Sequence, residues 1–261
     1  MERGLSILTK VPYKPFDNVT GFSLCVDILN KPQQLDFTCP ETMRHYKLDL
    51  DNGSMIPRDG LLMAGFIKDH VSCKSVLDLG TGSGILAIHS AIFGAAKVVG
   101  VDINESALEG AKHNGYINGL TNLIYWKQSD LFDKLKGDKF DLILSNPPQL
   151  PMESGSAQDF GGSDGKELIN NIITNASNYL TTNGILLIVL FDFLGVETSY
   201  NDRPTLKDLF TKSGFQMEVI ARENAPIRKG GQTEKSIDYI LKQYPKYMFT
   251  KDGDQVFHQK R

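Results

Sequence analysis

Residues 74–88 read KSVLDLGTGSGILAI: a short apolar strand, a turn with three glycines, and the start of an apolar helix. Glycine lets the backbone turn tightly and lets a ligand approach it closely. In sheets of parallel strands, ligands bind at the carboxyl ends of the strands. This stretch therefore predicts a binding loop at the end of the first strand of an α/β domain.

The chain that follows this loop alternates between predicted strands and helices. Further strands are expected in AKVVGVDI, NLIYWKQSD, KFDLILS, GILLIVLF and FQMEVIARE, with helices between most of them. This order predicts a mostly parallel sheet covered by helices on both faces. We expect residues 71–261 to form this domain, and residues 1–70 to form an N-terminal extension that covers the acceptor.

The composition is that of an ordinary globular enzyme. The 261 residues are 41% hydrophobic and 23% charged. The net charge of −3 gives no basic excess that would indicate a nucleic-acid partner. The three cysteines and five histidines show no metal-binding spacing, so we expect neither a metal site nor a disulfide framework. No apolar run has the length of a membrane span or the form of a signal peptide, and we expect a cytoplasmic protein.

Acidic residues follow three successive predicted strands. Asp78 directly precedes the glycines, Asp102 ends the second strand, and Asp130 follows the third. A carboxylate before the glycines suits a cationic cofactor better than a pyrophosphate, and Asp102 is spaced to bind ribose hydroxyls. A nicotinamide site would need a third glycine where Ile85 stands. Each carboxylate alone could be a helix cap, but three in succession favour a nucleoside cofactor.

The segments VLDLGTGSGILAI and VVGVDIN resemble the first motif and the acidic second strand of class I S-adenosylmethionine (SAM) dependent methyltransferases. The resemblance covers roughly residues 76–190. It implies a Rossmann-like α/β fold with a seven-stranded, mostly parallel sheet, and SAM as the cofactor. By this resemblance the cofactor-binding residues are Asp78, Gly80, Thr81, Gly82, Gly84, Asp102, Ile103, Ser129, Asp130, Leu131 and Asn146.

The fourth strand ends in Ser145-Asn146-Pro147-Pro148-Gln149. Two prolines remove two backbone donors, so the carbonyls of Asn146 and Pro147 are free to accept hydrogen bonds. With the Asn146 side chain they can hold an NH2 group whose lone pair faces a methyl donor. The segment resembles the NPPY motif of methyltransferases that act on glutamine amides or exocyclic adenine amines, with Gln149 at the aromatic position. The expected catalytic residues are Asn146, Pro147, Pro148 and Gln149.

An aromatic ring at the Gln149 position would stack on a planar acceptor. In this chain the ring would have to come from elsewhere, and the candidates are Trp126, Phe160 and Tyr200.

Two further segments narrow the resemblance to HemK/PrmC-type protein-glutamine methyltransferases. MIPRD at residues 55–59 looks like their IPRxDT segment, and FGGSDG at residues 160–165 looks like their GGxDG segment. The resemblance implies a protein or peptide glutamine as the methyl acceptor, with Pro57, Arg58 and Gln149 as substrate-binding residues. Three alternatives stay open: methylation of adenine or guanine in nucleic acid, methylation of a small metabolite, and a non-catalytic SAM-binding module.

Overall fold

The computed structural model of the chain describes residues 2–8, 23–27, 34–39, 44–49, 63, 66–155, 159–227 and 230–249. The chain divides into two compact units. The larger unit contains Pro15–Asn146 and Asn178–Leu187, and the smaller contains Met1–Lys14, Pro147–Ser177 and Ile188–Arg261. The predicted substrate-binding residues Pro57 and Arg58 lie outside the described residues.

Strands and helices alternate from residue 75 onward. The strands are β1 (Glu2–Leu8), β2 (Ser23–Asp27), β3 (Gln34–Cys39), β4 (Arg44–Asp49), β5 (Ser75–Leu79), β6 (Lys97–Asp102), β7 (Ile124–Gln128), β8 (Phe140–Ser145), β9 (Leu180–Phe191) and β10 (Val219–Pro226). The helices are α1 (Ile85–Ile92), α2 (Glu105–Ile117), α3 (Glu167–Ala176), α4 (Leu206–Lys212), α5 (Gln232–Lys235) and α6 (Ile237–Gln243).

The larger unit is built around a parallel sheet. Strands β8, β5, β6 and β7 lie side by side in that order and pair in parallel, and the first part of β9 lies beyond β8. The central strands β5 and β8 are almost fully buried, as their continuous apolar sequences require. The predicted α/β class, with a parallel sheet and intervening helices, is confirmed.

The smaller unit contains an antiparallel arrangement of three strands. Strand β1 pairs antiparallel with β10 and with the last residues of β9, where Leu5 lies opposite Phe191. Residues 2–8 therefore belong to this sheet, and helices α3 to α6 belong to the same unit. The division of the chain into an extension and a catalytic domain at residue 70 stays a prediction.

A small antiparallel sheet, ordered β2-β3-β4, is attached to helix α2 of the larger unit through two asparagine side chains. The Asn118 amide accepts from the backbone N of Lys47 at 2.8 Å and donates to its carbonyl at 2.6 Å. Asn114 accepts from the N of Asp49 at 2.7 Å and donates to its carbonyl at 3.1 Å. Asn114 also donates to the carbonyl of Ser83 at 2.9 Å, which ties β4 to the glycine loop.

The indole ring of Trp126 lies on β7 in a slot that three glycines leave open. A Cβ added at Gly100 would lie 2.6 Å from two ring carbons, and one at Gly115 would lie 3.2 Å from the ring. A Cβ at Gly84 would approach Trp126 to 3.0 Å and the Cβ of Ala111 to 3.1 Å. The three glycines stand in β6, in α2 and before α1, so the ring holds these elements together.

We expect Gly100→Ala to lower the free energy of unfolding by about 1–3 kcal/mol, because the new methyl group overlaps the Trp126 ring. Urea unfolding of the two proteins measures the difference. Trp126→Leu should recover part of this loss in the Gly100→Ala background, since the smaller side chain gives the methyl group room. Equal unfolding midpoints for the parent and Gly100→Ala would contradict the prediction.

Candidate active site

The predicted cofactor residues lie at the carboxyl ends of neighbouring strands of the larger unit or just after them. In the parallel ladders Leu79 lies opposite Val101 on one side and Ser145 on the other, and Asp102 lies opposite Gln128. The Ser145 hydroxyl donates to the carbonyl of Leu79 at 2.9 Å and so fixes the two strand ends together. The glycine loop, Asp102 and Asn146 are therefore gathered at one edge of the sheet.

Asp78 is a buried carboxylate with one oxygen bound and one free. Its Oδ2 accepts from the Thr81 hydroxyl at 2.6 Å and from the backbone N of Ala87 at 3.0 Å. Its Oδ1 is buried and has no hydrogen-bond partner among the described residues. Burial raises the pKa of Asp78 to about 7. A buried oxygen without a donor is the polar group that a ligand N–H would satisfy.

The three glycines of the loop serve two purposes. Gly80 and Gly82 adopt φ values of 76° and 53°, and a Cβ added to either would meet no atom of the described residues within 4 Å. Their backbone therefore faces open space that a ligand can occupy. Gly84 packs instead against the Trp126 ring, which leaves little room for a Cβ at this position.

Asp102 links the glycine loop to the end of β6. Its Oδ2 accepts from the backbone N of Gly82 at 2.9 Å, and its Oδ1 accepts from the N of Asn104 at 2.9 Å. Each carboxylate oxygen keeps a lone pair for a further donor. The next side chain, Ile103, is 61% exposed, which is unusual for a large apolar residue and provides an apolar surface beside the carboxylate.

The loop after β7 is shaped by Ser129. Its buried hydroxyl donates to the carbonyl of Leu131 at 2.9 Å and accepts from the backbone N of Lys134 at 3.1 Å. Leu131 has a φ of 41°, in the left-handed region that residues other than glycine rarely adopt. The Asp130 side chain is exposed. Ser129 thus holds the turn, and Asp130 is the polar group that this turn presents.

The NPPQ segment contains two side-chain amides in opposite situations. Asn146 is half-buried, and its amide has no hydrogen-bond partner within the described part of the chain. Gln149 is buried, and its Nε2 donates to the carbonyls of Val189 at 3.1 Å and Pro147 at 3.3 Å. Its Oε1 accepts from the N of Phe191 at 2.6 Å. The first amide is open to a ligand and the second is bound to the protein.

The GGSDG segment packs against the backbone of the NPPQ segment in the smaller unit. A Cβ at Gly161 would lie 2.6 Å from the Cα of Gln149, and one at Gly165 would lie 2.7 Å from its carbonyl oxygen. The N of Gly161 donates to the carbonyl of Leu150 at 2.9 Å. The glycine pattern was visible in the sequence, but its contact with the backbone of the NPPQ segment was not.

The candidate stacking rings are mostly engaged elsewhere. Trp126 fills its glycine slot, and the buried Tyr200 donates its hydroxyl to Asp192 at 3.1 Å. Phe160 is half-buried and forms a bridge with Leu150. Among the residues that the structure describes, no cluster of metal-ligating side chains is found and no helix is long and apolar enough to cross a membrane.

The model of the methyltransferase small domain family matches residues 47–225, which include the glycine loop, the acidic strand ends and the NPPQ segment. The chain belongs to this family. The predicted resemblance to HemK/PrmC-type methyltransferases is confirmed, and the chain is a SAM-dependent methyltransferase.

Two curated relatives are similar to a large part of the chain. A Methanocaldococcus jannaschii protein with the provisional name protein N5-glutamine methyltransferase is 36% identical over 178 residues, which are 66% of this chain and 85% of the relative. A ribosomal protein uL3 glutamine methyltransferase of Francisella tularensis is 36% identical over 160 residues, 54% of this chain and 51% of the relative. The chain thus spans about half the length of the uL3 enzyme.

Solved structures share the fold at lower identity. A provisionally assigned methyltransferase in complex with SAH superimposes with a TM-score of 0.50 at 18% identity, over 71% of this chain and 46% of that chain. This likeness concerns the fold alone.

Proposed function

We propose that this methyltransferase N-methylates the side-chain amide of a protein glutamine with SAM as the methyl donor. The observation that carries the proposal is the Asn146 amide, which has no partner among the described residues and follows β8 at the same sheet edge as the glycine loop. Relatives at 31% to 36% identity are named glutamine methyltransferases, which supports an amide acceptor.

The residues of the larger unit fit SAM. The free Oδ1 of buried Asp78 suits an amino group, and the open space over Gly80 and Gly82 admits a ligand against the backbone. Asp102 suits ribose hydroxyls, while Ile103 and the loop around Asp130 suit the adenine. When bound, SAM supplies a methyl group that its sulfonium charge has already activated.

The NPPQ segment would orient the acceptor nitrogen. The Asn146 side-chain oxygen would accept one N–H of the acceptor amide, and the Pro147 carbonyl would accept the other. When both N–H hydrogens are held, the nitrogen lone pair has one direction, which is toward the methyl group. The Asn146 and Pro147 oxygens would also stabilise the positive charge that develops on the nitrogen. In the transfer itself, the amide nitrogen would form a bond to the methyl group as the donor's sulfur–methyl bond breaks, and one of its hydrogens would leave as a proton to the solvent. The catalysis assigned to the chain is thus positioning and electrostatic stabilisation.

The proposal extends to the central sheet and to the N-terminal residues. We infer that the fold is the seven-stranded, Rossmann-like one of the family, and that the residues before 71 cover the acceptor. Pro57 and Arg58, which lie outside the described residues, are proposed as substrate contacts by the IPRxDT resemblance.

Methyl-labelled SAM tests the proposal directly. The purified protein is incubated with labelled SAM and with protein, RNA and metabolite fractions from cells that lack this chain. Acid hydrolysis of a product methylated on a glutamine amide releases labelled methylamine and leaves glutamate. Label that resists acid in methyllysine or methylarginine, or that nuclease removes, would overturn the glutamine assignment.

We expect Asp102→Ala to weaken SAM binding by about 1–3 kcal/mol, because a charge-assisted acceptor is lost and the Gly82 N–H loses its partner. Calorimetric titration with SAM measures the change. The exposed Asp133, which also follows β7, provides the matched control: Asp133→Ala should bind SAM like the parent. Parental affinity in a folded Asp102→Ala would remove Asp102 from the proposed site.

A further inference from the structure

We propose that Gln149 is a positioning residue for methyl transfer: its amide holds the Pro147 carbonyl in place and does not bind the acceptor. The inference rests on the proposed function, because it assigns the Pro147 carbonyl to the acceptor nitrogen. It also gives a reason for glutamine at a position where the related motif has an aromatic ring.

Both hydrogen-bond donors of the Gln149 amide are used within the protein, and its oxygen is buried against a backbone N–H of β9. Both Nε2 hydrogens have carbonyl partners, on Pro147 and Val189, and Oε1 accepts a short bond from the N of Phe191. The side chain is 3% exposed. A glutamine amide that is buried and bound on both sides is part of the scaffold of the site.

The backbone of Gln149 is held from the other side. Gly161 and Gly165 press against its Cα and its carbonyl oxygen so closely that neither position has room for a Cβ. The side chain ties the NPPQ segment to the end of β9, while the GGSDG segment supports its back. Held on both sides, the Pro147 carbonyl keeps one direction, and an error of about 1 Å in such a group is enough to cost about 100-fold in rate.

The geometry separates two tasks of the Gln149 amide. Its donor end fixes the Pro147 and Val189 carbonyls, and its acceptor end fixes the Phe191 N–H. Gln149→Glu keeps the acceptor end and replaces the donor by a second oxygen that faces two carbonyls. Gln149→Leu removes both ends at nearly the same volume. Comparing these two variants tells whether the donor end, with its Pro147 and Val189 contacts, or the Phe191 contact at the acceptor end matters.

The experiment measures turnover, KM for the acceptor and calorimetric SAM affinity, with the acceptor that the labelling experiment identifies. We expect both Gln149→Glu and Gln149→Leu to lose about 100-fold in kcat, with parental SAM affinity and a KM for the acceptor within about twofold. Gln232→Leu serves as the matched control, because the Gln232 amide donates to the Met152 sulfur in the same unit. This control should turn over like the parent.

A second measurement does not depend on activity. In amide NMR spectra of the parent, the side-chain NH2 hydrogens of Gln149 should exchange with solvent far more slowly than those of the exposed Gln128. Equally rapid exchange of the two amides would show that the Gln149 bonds do not persist, and would overturn the inference.

The outcomes also separate the inference from the proposed function. No labelled amide product with the parent overturns the proposed function and the positioning role with it. A labelled amide product formed at parental rate by Gln149→Glu overturns the positioning of Pro147 alone. A raised KM for the acceptor with unchanged kcat would make Gln149 an acceptor contact instead.

Discussion

Asn146→Ala should keep the SAM affinity of the parent and lose most of the turnover. The Asn146 amide follows β8 and has no partner in the part of the chain that the structure describes, and its loss removes one of the two oxygens proposed to hold the acceptor nitrogen. Loss of a single stabilising group of this kind typically costs about 2.7–4 kcal/mol in the transition state, or roughly 100- to 1,000-fold in kcat. Single-turnover kinetics with labelled SAM measure the chemical step.

Asn146→Asp provides the sharper comparison. The carboxylate keeps an oxygen acceptor of the same size, so it should retain more turnover than alanine at neutral pH. Ser145 is unsuitable as a control because its hydroxyl joins β8 to β5. Asn104→Ala is suitable, because Asn104 caps helix α2 after β6, two strands away from β8, and is exposed. Parental turnover by Asn146→Ala would reject a nitrogen acceptor held by this residue.

Asp78→Asn should weaken SAM binding and remove a pH dependence of stability. The carboxylate is buried, and its Oδ1 has no partner within the described ranges. Replacing it by a neutral amide removes a charged acceptor that is worth about 1.5–3 kcal/mol to a bound donor. SAM affinity should therefore fall by roughly 10- to 150-fold at pH 8. Calorimetry measures it, and unchanged affinity in a folded Asp78→Asn would remove Asp78 from the cofactor site.

The stability effect of Asp78 has a defined sign. Burial raises the pKa of this carboxyl from 3.8 to about 7 in the folded protein, so the folded state holds a proton that the unfolded state releases. Its contribution to the free energy of unfolding is complete below pH 3.8 and is lost as the pH rises to about 7. At about 1.4 kcal/mol per pKa unit, the loss is of the order of 4 kcal/mol.

Denaturant unfolding of the ligand-free parent and of Asp78→Asn across this pH range isolates the effect. The parent should lose stability relative to the variant between about pH 4 and pH 7, and the difference should be constant above that range. SAM should stabilise the parent more than the variant at pH 8. Parallel stability curves for the two proteins would contradict a raised pKa for Asp78.

The sequence was sufficient to predict the parallel α/β class and the acidic positions at the strand ends. The reason is local: a buried parallel strand is a continuous apolar run, and the residues after it face the ligand edge. Asp78 and Asp102 could be located by counting from the glycines, and their neighbours in the sheet follow from the strand order. Family membership of the chain agrees with this prediction.

The contacts of Gln149 and Trp126 could not be read from the sequence. Gln149 binds Val189 and Phe191, about forty residues further along the chain, and Trp126 fills a slot made by glycines from three different elements. Both depend on how distant segments pack, and neither leaves a periodic signal. The sequence showed only that Gln149 stands where the motif has an aromatic ring. The structure shows that its amide is bound to the backbone of Pro147, Val189 and Phe191.

The attachment of β4 to helix α2 has a consequence for self-association. Asn114 and Asn118 each offer one donor and one acceptor to the backbone of β4, in the pattern that another strand would offer. An uncovered strand edge invites pairing with a second chain and begins aggregation, and proteins usually block it with charges, prolines or bulges. Here two helix side chains bond the backbone of β4 as a neighbouring strand would, so a strand from a second chain cannot pair with those residues at this edge of the small sheet.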